Sequence, residues 1–206
     1  MKVEPQWEEF YKKTSLDKIP WNNTQADYFQ QLLDSNKLGA RSALDLGCGV
    51  GAKSITLVKR GFEVTGVDIV KTAIECARAK AKEADVQVNF IAADATDLSF
   101  LKNKKFDLVL DWACLPGIPK AKRKKYVDGI ARHTKKNGKF LLRCFSKHGV
   151  NKEFAFSLGG RIYLFSRQDI ESLFGNYFKI LETNRSKPFS WQPPGKWLDE
   201  YLMEKF

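Results

Sequence analysis

Apolar positions fall into two rhythms along this chain. Short apolar-rich runs occur at Ser42–Leu46, Glu63–Asp68, Val86–Ala92, Phe106–Asp111 and Gly138–Phe145. Runs of this length read as strands covered on both faces. Between them lie longer segments with helical spacing, at Gly51–Arg60, Lys71–Ala84 and Lys120–Thr134. Gly61 stands where a helix C′ residue belongs. Strands alternating with helices at this spacing predict a parallel sheet with helices on both faces.

The flanks read differently. Trp7–Lys13 is a short aromatic amphipathic stretch, broken at Ile19-Pro20-Trp21 because the residue before a proline disfavours helix. Thr24 is placed to cap a helix running to about Ser35, with Tyr28, Phe29, Leu32 and Leu33 on one face. Beyond residue 150, Glu153–Phe165 predicts a strand pair turning at Gly159-Gly160. Ser166 and Asp169 have capping-box spacing ahead of a helix ending at Phe174. Tyr177–Thr183 and Lys187–Gln192 read as strands, and Trp197–Lys205 as a closing helix. There is no internal repeat. The 206 residues fit one domain: an N-terminal helical lid over 1–40 and a core over 41–206 with an insertion at 150–165.

Composition narrows the class. Hydrophobic residues make up 43% and charged ones 29%, as in a globular domain. No apolar run reaches the ~18 residues of a membrane span, and no apolar h-region follows Met1, so the expectation is a cytoplasmic protein without membrane contact. Cys48, Cys76, Cys114 and Cys144 form no CxxC pair, and with two histidines no metal site is expected. The net charge of +11 is concentrated in Lys102–Lys105, Lys120–Lys125 and Lys135–Lys136. Such runs suit a nucleic-acid partner or a solvated helix face. No aromatics interleave with them, which weakens the nucleic-acid reading.

The chemistry lies in LDLGCGVG, residues 44–51. Glycines at a strand-to-helix turn let backbone approach a ligand closely. Dinucleotide enzymes use GxGxxG at the same place. Here the spacing is GxGxG, and Asp45 precedes it, where a carboxylate suits a cationic ligand end and repels a pyrophosphate. Asp68 closes the second strand, 17 residues after Gly51, where an acid accepts hydrogen bonds from ribose hydroxyls. Asp94 follows the third strand and Asp111 ends the fourth. Four acids at successive strand ends are expected to line one crevice at the carboxyl edge of the sheet.

These motifs together resemble the class I S-adenosylmethionine (SAM)-dependent methyltransferases over residues 40–185. The resemblance implies a Rossmann-like, doubly wound, seven-stranded α/β sheet, mostly parallel with the last strand antiparallel, and SAM as the cofactor. It places Asp45, Gly47, Cys48, Gly49 and Gly51 around the methionine end. It places Asp68 and Ile69 at ribose and adenine, Asp94 and Ala95 on the adenine side, and Asp111 with Trp112 near the methionine amine. The early aromatics are similar to the thiopurine/thiol methyltransferase and tellurite-resistance-like branch, in which they fold over SAM; that gives Trp7, Tyr11 and Trp21 a lid role. Arg143, Phe145, His148 and Arg161 are candidates beside the acceptor, with Lys147 near them. No histidine–acid pair stands out as a catalytic base. The expected partner is a small molecule, with thiols favoured, and the expected state is a monomer or homodimer. Three alternatives stay open: an RNA or protein methyltransferase using the basic runs, an NAD-dependent oxidoreductase on a similar sheet, and a SAM-binding protein without catalysis.

Overall fold

The computed structural model describes residues 5–13, 27–39, 41–148, 154–155, 161–186 and 197–206, with side chains at all of these except 5, 6, 154, 155 and 161. Nine strands are described: β1 (Ser42–Leu46), β2 (Glu63–Asp68), β3 (Asn89–Ala92), β4 (Phe106–Trp112), β5 (Thr134–Phe145), β6 (Phe154–Ala155), β7 (Arg161–Ile162), β8 (Phe178–Ser186) and β9 (Leu198–Lys205). The helices are α1 (Pro5–Lys13), α2 (Tyr28–Asp34), α3 (Ala52–Lys59), α4 (Lys71–Glu83), α5 (Lys120–His133) and α6 (Arg167–Phe174).

Seven strands form one sheet in the order β3-β2-β1-β4-β5-β9-β8, and β6 pairs with β7 separately. β1 to β5 run parallel, while β9 is antiparallel to both β5 and β8. The dinucleotide order 3-2-1-4-5-6 has no such inserted antiparallel strand. The order reverses at β1, whose neighbours are β2 and β4, and in open α/β sheets ligands bind beyond the carboxyl ends of the strands at such a point.

Both faces of the sheet are covered. One carries Leu44, Leu46, Val109, Phe140 and Leu142 against Tyr126 and Ile130 of α5 and Ile170 and Phe174 of α6. The other carries Ala43, Val64, Leu108, Leu110, Leu141 and Leu202 against Tyr28, Phe29, Leu32 and Leu33 of α2 and Leu57 of α3. The two-sided burial explains the near-continuous apolar strands of the sequence.

The closing helix expected over Trp197–Lys205 is overturned, because Leu198–Lys205 is β9. Leu, Glu, Met and Lys favour helices, and apolar residues fall at consecutive positions, so local pattern and propensity both mislead. Tertiary context decides: Leu202 packs on one face, Tyr201 and Met203 on the other, and β5 and β8 supply hydrogen-bond partners at both edges. The third strand is shorter than Val86–Ala92. Asp85 adopts a left-handed φ of 51°, and the amides of Asp85 and Val86 donate to Lys82 and Ala81 carbonyls. This Schellman turn closes α4 and delays β3 to Asn89. The cap of α2 is Asp27, whose carboxylate accepts from the Gln30 amide at 3.1 Å. Thr24, the Gly159-Gly160 turn and Lys187–Gln192 lie outside the described residues. The Ser166–Asp169 capping box forms as the spacing indicates.

Candidate functional site

The crevice floor is the turn between β1 and α3. Gly47 has φ +66° and Gly51 φ +79°. A Cβ on Gly47 would stand 2.7 Å from the Cys114 Cβ, and one on Gly51 would stand 2.6 Å from the Phe90 ring. The glycines therefore let the loop pack against the turn after β4 and against β3. The Gly47 and Cys48 amides donate to the Val67 carbonyl at 2.8 and 3.1 Å, tying the loop to β2. The Cys48 thiol is turned inward toward Gly66.

Asp68 stands beside this loop. One carboxylate oxygen accepts from the Gly49 amide at 2.8 Å and the other from the Val70 amide at 2.9 Å. The Ile69 amide also acts on this buried carboxylate, which has about four lone-pair sites in all. Ile69 follows it and packs with Trp7 and Phe10 against the cluster of Tyr11, Val50, Val70 and Ala73. The structure thus brings Trp7, Tyr11 and Ile69 together over the loop and the start of α4. Trp21 lies outside the described residues.

Two of the four acids do not line the crevice, which corrects the expectation. Asp45 is buried and accepts from the Ser54 hydroxyl at 2.6 Å. Asp111 is wholly buried and accepts from the Cys114 and Leu115 amides and, at 2.8 Å, from the Tyr126 hydroxyl. Its polar atoms serve the turn after β4 and are not presented to a ligand amine. Burial pushes both carboxyls up to about 7 and raises Asp68 as well. Asp45 and Asp68 repel one another, as do Asp45 and Asp111. Asp94 stays near the surface; its carboxylate accepts from Thr96 and pairs with Lys122 at 3.1 Å. Ala95 beside it is buried in the core.

The acceptor-side candidates also separate. Arg143 is buried and committed: Nε lies 3.2 Å from Glu200, Nη2 donates to the Ser186 hydroxyl at 3.2 Å, and the guanidinium sits 4.6 Å from the Trp112 ring centre. It does not reach out as a free substrate ligand. Phe145 is buried. His148 is exposed, its ring edge-on to Trp197. Lys147 pairs with Asp169 at 2.8 Å. Arg161 begins β7, with its side chain outside the described residues. Sequence reasoning missed Asp27, Lys53, Ser186 and Glu200, which gather around Arg143 and Trp112. Lys53 pairs with Asp27 at 2.6 Å and lies 4.8 Å from the Trp112 ring centre. These residues are far apart in the chain, and no motif spacing connects them.

The basic runs are largely engaged. Lys122, Lys124, Lys125 and Lys135 each pair with an aspartate, and Arg123 lies over the rings of Tyr163 and Phe165. Among the described residues no group of three or more His, Cys, Asp or Glu could hold a metal, and no helix is long and apolar enough to cross a membrane.

The methyltransferase-domain family matches residues 43–138, which run from β1 through the start of β5 and include the glycine loop and all four acids. Over just under half of its length, the chain is similar to this methyltransferase-domain family. The ubiquinone biosynthesis O-methyltransferase of Alkalilimnicola ehrlichii is 31% identical over 143 residues, 69% of this chain and 56% of that protein. The chain spans about half the length of several of the curated relatives it matches. Two solved structures share this fold. One is 1,6-didemethyltoxoflavin-N1-methyltransferase of Burkholderia thailandensis, with TM-score 0.77, 19% identity and coverage of 98% of this chain and 88% of that one. The other is TehB of Haemophilus influenzae, with TM-score 0.72, 18% identity and coverage of 98% and 67%.

Proposed function

We propose that this protein transfers the methyl group of SAM to a small-molecule acceptor, with a thiol or another soft nucleophile favoured. The observation that carries the reading is Asp68. It is fixed by backbone amides at the carboxyl end of β2 beside the glycine loop, where an acid can accept from a ribose hydroxyl. The floor beneath fits the rest of the donor. Asp45, Asp68 and Asp111 lie under one loop, and Lys53 is the cation that acts on Asp45. That surplus of buried carboxylate suits a ligand bearing a sulfonium and an ammonium.

The bound donor supplies an electrophilic methyl group and a neutral thioether leaving group. The chain's own part is placement. The amides of Gly47, Gly49 and Gly51 border the methionine end, Asp68 holds ribose, and Ile69 with Trp7 and Tyr11 forms an apolar wall. Asp94 and Ala95 border the adenine. Holding a nucleophile about 3 Å from the methyl, in line with the leaving sulfur, supplies most of the acceleration. A thiolate acceptor needs little general-base help. The α1 helix acts as part of a lid over this crevice, and the insertion carrying β6 and β7 borders the acceptor. The toxoflavin enzyme's small heterocyclic substrate and the ubiquinone relative's O-methylation support a small acceptor. The ion-paired lysines weigh against RNA.

Transfer of labelled methyl from SAM to thiophenol, 2-mercaptoethanol, catechol, iodide and bulk RNA tests the reading, with calorimetry of SAM, its demethylated product and NAD. Transfer to thiophenol and binding of SAM without NAD are expected. Transfer to RNA alone, or NAD binding without SAM, would overturn it.

A further inference from the structure

On the α2 face of the sheet, the last apolar row before the crevice is Leu110, Leu141 and Leu202, which are register partners on β4, β5 and β9. Two residues further along β4 and β5 the next row on the same face changes character. Trp112 pairs with Arg143, Arg143 with Glu200, and Glu200 with Asn184, so four adjacent strands carry one cross-strand row. Glu200 has no solvent exposure and accepts from the Ser186 hydroxyl at 2.7 Å and the Asn184 amide at 2.9 Å, besides its ion pair with Arg143. The helices close the row from above. Asp27, the cap of α2, holds Lys53 of α3 at 2.6 Å and lies 3.9 Å from Arg143. Both cations end over the same indole, and Phe29 meets it edge-on with ring centres 5.6 Å apart.

A polar row of this kind is expensive to bury and is not needed to fill the core, since Leu residues fill the row below it. Its components converge on Trp112, which remains partly exposed at the carboxyl end of β4, the strand next to the glycine loop. Ala113, directly after it, is held at φ +76° with its amide on the Arg143 carbonyl at 3.0 Å. Left-handed backbone at a non-glycine residue is a strained conformation that collects at functional sites.

We propose that Lys53 and Arg143 are positioning residues that hold the Trp112 indole as the rigid acceptor-side wall of the crevice. This rests on the methyltransferase reading above. Asp27 and Glu200 fix the two cations, and the cations fix the ring through its π-face. Because Lys53 lies in the helix that opens from the glycine loop, the wall and the donor floor move as one body. The wall sets where an acceptor stands relative to the methyl group, and displacement by about 1 Å costs on the order of 100-fold in rate.

The test uses full-length protein labelled with 5-fluorotryptophan, with Trp112 among the five fluorine resonances assigned by its loss in Trp112→Phe. In Lys53→Met and Arg143→Met, the Trp112 resonance is expected to shift and broaden while the others stay in place. Calorimetry with the demethylated product should stay within about threefold in Arg143→Met, since Arg143 stands on the acceptor side. With thiophenol as acceptor, kcat/KM should fall about 100-fold. Lys53→Arg and Arg143→Lys keep the charge over the ring and should recover much of the loss. If Arg143→Met does not fold, Lys53→Met and the two conservative variants still decide the matter. An unmoved Trp112 resonance in Lys53→Met overturns the proposal. So does an equal loss of product affinity and transfer rate, which would mark a merely structural role. If the wild-type protein methylates none of the probes, the functional reading fails, and the fluorine resonance still reports whether the two cations hold the ring.

Discussion

On the donor side of the crevice, β1, β2 and β3 offer backbone amides and carboxylates that are close together in the chain. On the acceptor side, β4, β5, β9 and β8 offer a row of side chains drawn from four strands and two helices. On the proposed function, the donor side would bind through groups the fold fixes anyway: a glycine turn and an acid at a strand end. The acceptor side has no such local device, and its geometry depends on a buried network in which each member holds the next. One fold can therefore keep its donor site constant in form while its acceptor wall is rebuilt by changing a few side chains.

The largest expected effect falls on the acceptor side. Glu200→Ala leaves the Arg143 guanidinium buried without its closest carboxylate, and removing one partner of a buried pair costs about 3–5 kcal/mol. Thermal or urea unfolding of this variant should show that loss. Replacing Arg143 and Glu200 together by Leu should recover most of it, because the apolar row beneath accepts such residues. If the single variant is as stable as the parent, the network is not what holds this half.

On the donor side the expected effect is on binding. Asp68→Ala removes an acceptor for two ribose hydroxyls and frees the Gly49 and Val70 amides. At about 1.5 kcal/mol or more for each charge-assisted bond, affinity for SAM and its product should drop ~100-fold by calorimetry. An unchanged affinity would mean that ribose is held elsewhere, and the contrast between the two halves would lose its basis.

A smaller effect separates the donor from its product. Asp45 and Asp111 are pushed up to about 7, chiefly by burial, whereas unfolded aspartate titrates near 3.9. Between about pH 4 and 7 the folded chain holds protons that the unfolded chain has lost, so stability falls as pH rises through this window. Asp45→Asn, which keeps an oxygen for the Ser54 hydroxyl, should flatten that fall. A cationic donor favours the ionised acids and releases protons on binding. Affinity for SAM should therefore rise from about pH 6 to 8, by up to about tenfold, and more steeply than for the product, which lacks the sulfonium charge. Parallel pH profiles would detach the buried acids from donor binding.

The same division governs what the sequence revealed. β1 and β2 match their expected bounds to the residue, and the glycine loop with Asp68 was legible because both are local signals: small residues at a turn and an acid at a strand end. The burial of Asp45 and Asp111 was not legible. A carboxylate at a strand end can face the crevice or the core, and only Ser54 and Tyr126 decide which. β9 was misread for a related reason: a strand buried on both faces loses its period-2 signature, and its helix-favouring residues then suggest the wrong element. The acceptor row was invisible because Trp112, Arg143, Asn184 and Glu200 become neighbours only through sheet register. Arg143 was picked out as an acceptor ligand, and the structure instead commits it to holding Trp112 and Glu200.

The smallest predicted effect lies at the junction of the two halves. Ala113 sits at φ +76°, a conformation that costs an L-residue about 1–2 kcal/mol and a glycine nothing. Glycine also loses about 0.4–1 kcal/mol more conformational entropy on folding, so Ala113→Gly should be stabilising by no more than about 1.6 kcal/mol. Ala113→Val should be destabilising by more than that, because a β-branched side chain fits this region worst. Stability measured by urea unfolding checks the sign of each. The glycine variant also bears on the comparison of the two halves. If strain at Ala113 serves to aim Trp112, relieving it should weaken methyl transfer while leaving product affinity and stability intact. If transfer is unchanged in a stabilised Ala113→Gly protein, the strain is incidental, and the wall is held by Lys53 and Arg143 alone.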